Sequence, residues 1–169
     1  MGKWQQAVEN VRNGLRLKKF LDEAVKDKKF FPLTNPKRKT FCNQFALTCL
    51  KKLGYDIDPI LWDDKKIENT NTFRSFTKAI ENNVFQIDPE AAQKRANKGK
   101  AVYVLSKINE PTNHAAIVYP TFLKYNKGKG VRIAQAGGVN GVFWISDFYA
   151  WHLDWHHSGI KYFVLEKLK

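Results

Sequence analysis

The chain has 169 residues, 43% hydrophobic and 14% aromatic, a composition that excludes intrinsic disorder and fits one globular domain. Its formal net charge of +13, from 29 basic and 16 acidic side chains, predicts attraction to polyanions, although a lysine-rich surface also aids solubility. No apolar run reaches the roughly 18 residues of a membrane span, and residues 1–20 lack the apolar core of a secretory signal.

The first half of the chain has the apolar spacing that is typical of helices. Residues 4–26 predict an amphipathic helix that docks on the body of the domain, with a membrane surface as the alternative. Residues 42–53 predict a second helix, with Thr40 as its N-cap and Gly54 at its C-terminal end. Helices therefore precede the strands that follow.

Further along the chain the pattern changes from helices to strands. Residues 60–84 are expected to be mostly helical, and Asp88 and Gly99 delimit a short helix between them. Four β-rich segments follow, at residues 101–107, 114–120, 131–136 and 160–167. This order predicts an α+β fold with an antiparallel sheet. We expect one domain over residues 1–169, with residues 1–34 packed on it as an N-terminal helical segment.

The two cysteines have different surroundings in the sequence. Cys42 and Cys49 are separated by about 10 Å of helical rise, too far for a disulfide, so both thiols should be free. Cys42 stands at a predicted helix start and follows Lys37, Arg38 and Lys39, and both features lower the pKa of a thiol. Cys42 is thus the candidate nucleophile and Cys49 a core residue. The alternative is that Cys42 is also a small core residue.

A base and an orienting group are available in the β-rich half. His114 opens a predicted strand, where the sheet would fix it beside a cleft; a surface histidine at a loop end is the alternative. Gln135 lies inside an apolar segment one strand later, and a buried amide needs a partner. Its oxygen could accept from His114 and leave the other ring nitrogen to face Cys42, as in a catalytic triad. A core amide bonded to the backbone is the alternative for Gln135.

The order of these groups resembles a known family. The segments FCNQFALTCLKKLG, AAQKRANKGKAVYVLSK, NHAAIVYP and RIAQAGGVN resemble the papain-like peptidoglycan amidohydrolases of the NlpC and CHAP type. The resemblance implies a papain-like α+β fold in which a thiolate cleaves amide bonds in cell-wall stem peptides. It implies Cys42 as nucleophile, His114 as general base and Gln135 as the variable orienting residue.

The substrate-binding residues expected around this centre are Asn43, Asn113, Asn140 and Trp144, and Asn140 is the second candidate for the orienting group. No cofactor and no metal are expected. His152 and His156 have a metal-ligand spacing, but no accompanying zinc motif supports them.

The expected substrate is a peptidoglycan peptide, and anionic wall polymers are further candidate partners. Delivery to the wall or periplasm would follow the route of a phage-type lysin or an injected antibacterial effector, with any delivery or immunity partner unknown. Nucleic acid is not expected as a partner, because no nucleic-acid motif occurs. The rival interpretations are a non-catalytic basic nucleic-acid-binding domain, and the same fold acting as an acyltransferase or protein-directed peptidase.

Overall fold

The architecture comes from a computed structural model of the chain, which describes residues 2–30, 41–61, 67, 70–106, 114–148 and 159–168. It is an α+β fold in which helices pack on a six-stranded antiparallel sheet. The helices are α1 (Lys3–Ala24), α2 (Cys42–Lys52), α3 (Thr72–Glu81), α4 (Pro89–Asn97) and α5 (Ile145–Phe148). The strands are β1 (Phe85–Ile87), β2 (Tyr103–Ser106), β3 (His114–Val118), β4 (Arg132–Gln135), β5 (Gly141–Trp144) and β6 (Ile160–Val164).

The strands lie in the order β1-β6-β2-β3-β4-β5. Four of these strands follow one another in the chain, and β6 inserts between β1 and β2. The centre of the sheet is therefore β2 and β3, whose residues are almost all buried.

Alternation along β3 separates two layers of core. Ala115 and Ile117 pack with the apolar residues of α1 and α2 on one face of the sheet. Ala116 and Val118 pack on the other face, against α4 and the apolar residues of β4. Both faces are covered, so the central strands have few polar side chains.

Most predicted elements are present with shorter bounds. The four β-rich segments form β2, β3, β4 and β6, and α4 begins after the Asp88 cap, which accepts from the Ala91 N–H at 2.9 Å. The expectation that residues 60–84 are mostly helical is met by α3, while residues 62–66, 68 and 69 of that range lie outside the described residues. The structure has a 3₁₀ turn at Asp58–Ile60 and then α3, and residues 85–87 form a strand. Thr40, the predicted cap of α2, lies outside the described residues.

Docking of the first helix is confirmed only for its second half. Leu17 and Leu21 are buried in the core, and Tyr119 donates to the Asp22 carboxylate at 2.6 Å. Trp4 and Val8, nearer the start of α1, are exposed. Within the described residues no helix has the length and apolar character needed to cross a bilayer.

Candidate active site

The thiol of Cys42 lies at the first residue of α2. Phe41 precedes the helix without a side-chain cap, so the first N–H groups of α2 have no capping side chain. Backbone N–H groups of Ala115, Asn43 and Cys42 itself interact with the sulfur, and Sγ lies 3.6 Å from the Thr72 hydroxyl oxygen. Cys42 therefore has several donors arranged around one nucleophilic atom.

The sulfur lies where β3 and β4 separate. Their ladder consists of Val118↔Ile133 and Ile117↔Ala134, and β3 continues past it to His114. Alternate N–H groups of a strand point to the same neighbour, and that of Tyr119 donates to the Arg132 carbonyl of β4 at 2.7 Å. The N–H of Ala115 therefore also points toward β4. It interacts with the Cys42 sulfur instead of a carbonyl of β4.

Gly137 lies close to Cys42 on the side of β4, where β3 and β4 are no longer paired. It follows β4, and a Cβ added there would lie 3.7 Å from both Cβ and N of Cys42. The start of α2 is therefore in close contact with the chain leaving β4. Cys42 therefore lies close to Ala115 of β3 and to the residues that follow β4.

Burial decides the ionisation of Cys42. The residue is 4% exposed, and this desolvation raises the pKa of the thiol above its ordinary value. Hydrogen bonding from Thr72 and from the backbone N–H groups opposes the increase without overcoming it. The expectation of a lowered thiol pKa was therefore wrong for this closed site. Lys37, Arg38 and Lys39, on which that expectation partly depended, lie outside the described residues.

Asn43 lies beneath the thiol and joins three elements. Its Nδ2 donates to the Thr70 carbonyl at 2.6 Å and to the Ser75 hydroxyl at 3.2 Å, and its Oδ1 accepts from the Tyr103 hydroxyl. The residue is 1% exposed. Asn43 was predicted to contact substrate, but this position gives it contacts inside the core, where it holds α2 against α3 and β2.

His114 is the residue before Ala115 on β3. The residue as a whole is partly exposed, but its imidazole Nε2 atom is buried, and burial lowers the pKa of the imidazole to about 4. Alternation places His114 on the sheet face of Ala116, opposite the face that α2 covers. An approach of its imidazole to the sulfur would therefore pass through the gap between β3 and β4.

Gln135 lies on the same sheet face as His114. The ladder between β3 and β4 ends at the Ile117–Ala134 pair, before either residue is reached. Gln135 is 1% exposed, and its Nε2 donates to the Val139 carbonyl at 2.5 Å. That bond uses the amide nitrogen, whereas the predicted orienting role needs the amide oxygen. The Gln135 amide can therefore donate to Val139 through its nitrogen and still accept a hydrogen bond through its oxygen.

Asn140 belongs to the turn after β4. Its Oδ1 accepts from the Gly137 N–H at 3.0 Å, and its Nδ2 is buried without a hydrogen-bond partner in the part of the chain that the structure describes. A buried unpaired donor is costly unless something else satisfies it. Asn140 is therefore a donor available beside the gap.

Trp144 is not brought to this gap. Trp144 pairs with Arg132 at the far end of β5, roughly 10 Å along the strand from Gly141. There it packs under the cations of Lys129 and Arg132. Asn113, His152 and His156 lie outside the described residues. Across the described ranges, no three His, Cys, Asp or Glu side chains are grouped so that they could hold a metal ion.

Three neighbours of the thiol were not among the predicted site residues. Thr72 lies 30 residues from Cys42, and no motif links them. Ala115 contributes only its backbone, which has no side-chain signal. Gly137 follows the predicted strand, where a glycine pair indicates a close approach of backbone, and this was the one readable signal.

No protein-family model, no curated protein and no solved structure matches this chain. The likeness to papain-like amidohydrolases therefore depends on the quoted segments alone.

Proposed function

We propose that the chain is a papain-like cysteine hydrolase that cleaves amide bonds in peptidoglycan stem peptides. The proposal is carried by the position of the Cys42 sulfur, at a helix N-terminus and among backbone N–H groups. A thiol that only fills a core needs no such donors, whereas a thiolate and an oxyanion both do. The order of Cys42, His114 and Gln135 along the chain, and the family resemblance, add the reaction class.

The reaction would begin from a neutral pair. Burial holds the thiol protonated and the imidazole unprotonated near neutral pH. His114 would take the proton of Cys42 as the sulfur attacks the amide carbonyl, with the N–H groups of Cys42 and Ala115 stabilising the oxyanion. The C–N bond then breaks, and the imidazolium gives its proton to the leaving amine. Water hydrolyses the thioester, which releases the acid and restores the thiol.

Substrate could reach the Cys42 sulfur only if the site opens. At 4% exposure the sulfur offers too little surface for attack on a polymer, so a strand end or a flanking segment would have to move. The net charge of +13 supports encounter with anionic wall polymers, which would bring the chain to its substrate.

The direct test is digestion of purified sacculi. Wild type should release stem-peptide fragments identifiable by mass, and Cys42→Ala should release none above background. Cys49→Ala is the matched control, since Cys49 is also buried but lies inside α2, and it should retain activity. Unchanged release by Cys42→Ala, or equal losses in both variants, would contradict the proposal.

A second candidate function is favoured by the charge alone. With a net charge of +13, the chain could be a non-catalytic nucleic-acid-binding domain. It would then bind DNA with a steep salt dependence, equally in wild type and Cys42→Ala, and release nothing from sacculi. An acyltransferase or a protein-directed peptidase using the same site would instead form a thioester on Cys42 with a different acyl donor, which trapping and mass measurement would detect.

A further inference from the structure

The first half of α1 presents an apolar stripe that nothing in the described fold covers. Trp4, Val8, Val11 and Leu15 are 75%, 40%, 52% and 52% exposed. At about 100° per residue they lie within roughly 60° of one another around the helix axis. The second half of α1 is fixed to the domain through Leu17 and Leu21. We call these four residues the α1 stripe.

A basic flank follows the α1 stripe on one side. Arg12, Arg16 and Lys19 border the same open groove as Val8, Val11 and Leu15. Arg12 forms an exposed pair with Glu9 at 3.4 Å. An apolar face beside exposed cations on one rigid helix is the pattern of a helix that lies in the plane of a membrane interface.

A strained loop lies next to this helix. A Cβ added at Gly14 would lie 2.7 Å from the Phe122 ring, so this loop packs directly on α1. Phe122 has φ +57 and Leu123 beside it is 61% exposed. A bulky residue with positive φ is unusual and is retained where the surrounding structure imposes it. Leu123 is therefore an exposed apolar residue on a loop that packs against α1.

We propose that the α1 stripe, its basic flank and Leu123 form a docking surface for an anionic lipid bilayer. A bilayer supplies acyl chains for Trp4 and the valines and negative headgroups for the flank at one contact. A second copy of the chain fits less well, because each copy carries a net charge of +13 and a symmetric pair would bring the two basic flanks together. This surface is separate from Cys42, so the proposal does not depend on the hydrolase.

The test is cosedimentation with lipid vesicles. Wild type should bind vesicles of phosphatidylcholine with about one third phosphatidylglycerol at least about tenfold more tightly than pure phosphatidylcholine vesicles. The triple variant Val8→Ser, Val11→Ser, Leu15→Ser should lose at least about tenfold in binding without loss of the circular dichroism melting transition.

A charge-matched pair of variants separates a local surface from the net charge. Replacing Arg12, Arg16 and Lys19 by Gln should weaken binding by at least about tenfold. Replacing the exposed Lys51, Lys161 and Lys167 by Gln removes the same charge elsewhere and should change binding far less.

Three outcomes would overturn the proposal. Wild type could fail to bind anionic vesicles, the serine triple could bind as wild type does, or the two glutamine triples could weaken binding equally. A stripe-dependent dimer in sedimentation velocity without lipid would assign the stripe to a second copy instead. Sacculus digestion by the same variants reports on the hydrolase independently, because none of the three triple variants changes Cys42.

Discussion

The buried imidazole of His114 makes stability depend on pH. Burial lowers its pKa from 6.5 to about 4, so between these values the unfolded chain binds a proton that the folded chain does not. Stability should therefore fall as pH falls from about 6.5 to 4, and this loss should disappear in His114→Gln. Each pKa unit corresponds to about 1.4 kcal/mol, so the His114 contribution is at most about 3.5 kcal/mol.

Urea unfolding at pH 4.5, 5.5, 6.5 and 7.5 would measure this effect in both proteins. The difference between them isolates His114, because the carboxyl groups and the other histidines are common to both. The free energy of unfolding of wild type should approach or fall below that of the variant as the pH is lowered. Parallel pH dependence in the two proteins would refute the burial of a neutral imidazole at this position.

Two substitutions and one alkylation measurement further test the core and the site. Asn43→Ala removes the buried hydrogen bonds that Asn43 makes with the Tyr103 hydroxyl and the Thr70 carbonyl, and urea unfolding should show a loss of about 2–4 kcal/mol; a loss below about 1 kcal/mol would contradict that network. Gly14→Ala would place a Cβ 2.2 Å from the Asn97 carbonyl oxygen and should cost about 1–3 kcal/mol, whereas a gain in stability would show that α1 and α4 are less tightly packed. Cys42 should be alkylated at least about tenfold more slowly in the folded chain than in urea at the same pH, because it is 4% exposed, and equal rates would contradict its burial.

The elements that were predicted well carry their own signals. The helix α4 is preceded by the Asp88 cap and followed by Gly99, which has φ +78. Both signals come from residues next to the helix, so they can be recognised in the sequence. β2, β3, β4 and β6 are apolar enough to be read as buried strands. The edge strands β1 and β5 were missed because their residues are exposed or only partly buried, and such a strand owes its structure to its pairing more than to its own residues.

The candidate site was predictable only in part. The place of Cys42 at a helix start follows from the periodicity of α2, and the structure confirms it. The direction of its pKa does not follow, because desolvation depends on how β3, β4 and α3 close around the sulfur. Thr72 and the backbone of Ala115 reach Cys42 only through the tertiary fold. The sheet face on which His114 lies likewise depends on how β3 pairs with β2, and the sequence of one strand alone does not specify that pairing.

The insertion of β6 between β1 and β2 has a consequence for biosynthesis. A ribosome would release β2, which ends at Ser106, well before β6, which runs from Ile160 to Val164. At roughly 5–20 residues per second, this interval lasts about 3–12 s. During that time the nascent chain carries an open apolar strand edge at what becomes the middle of the sheet. Newly made chains should therefore need a chaperone more at this stage than at any later one.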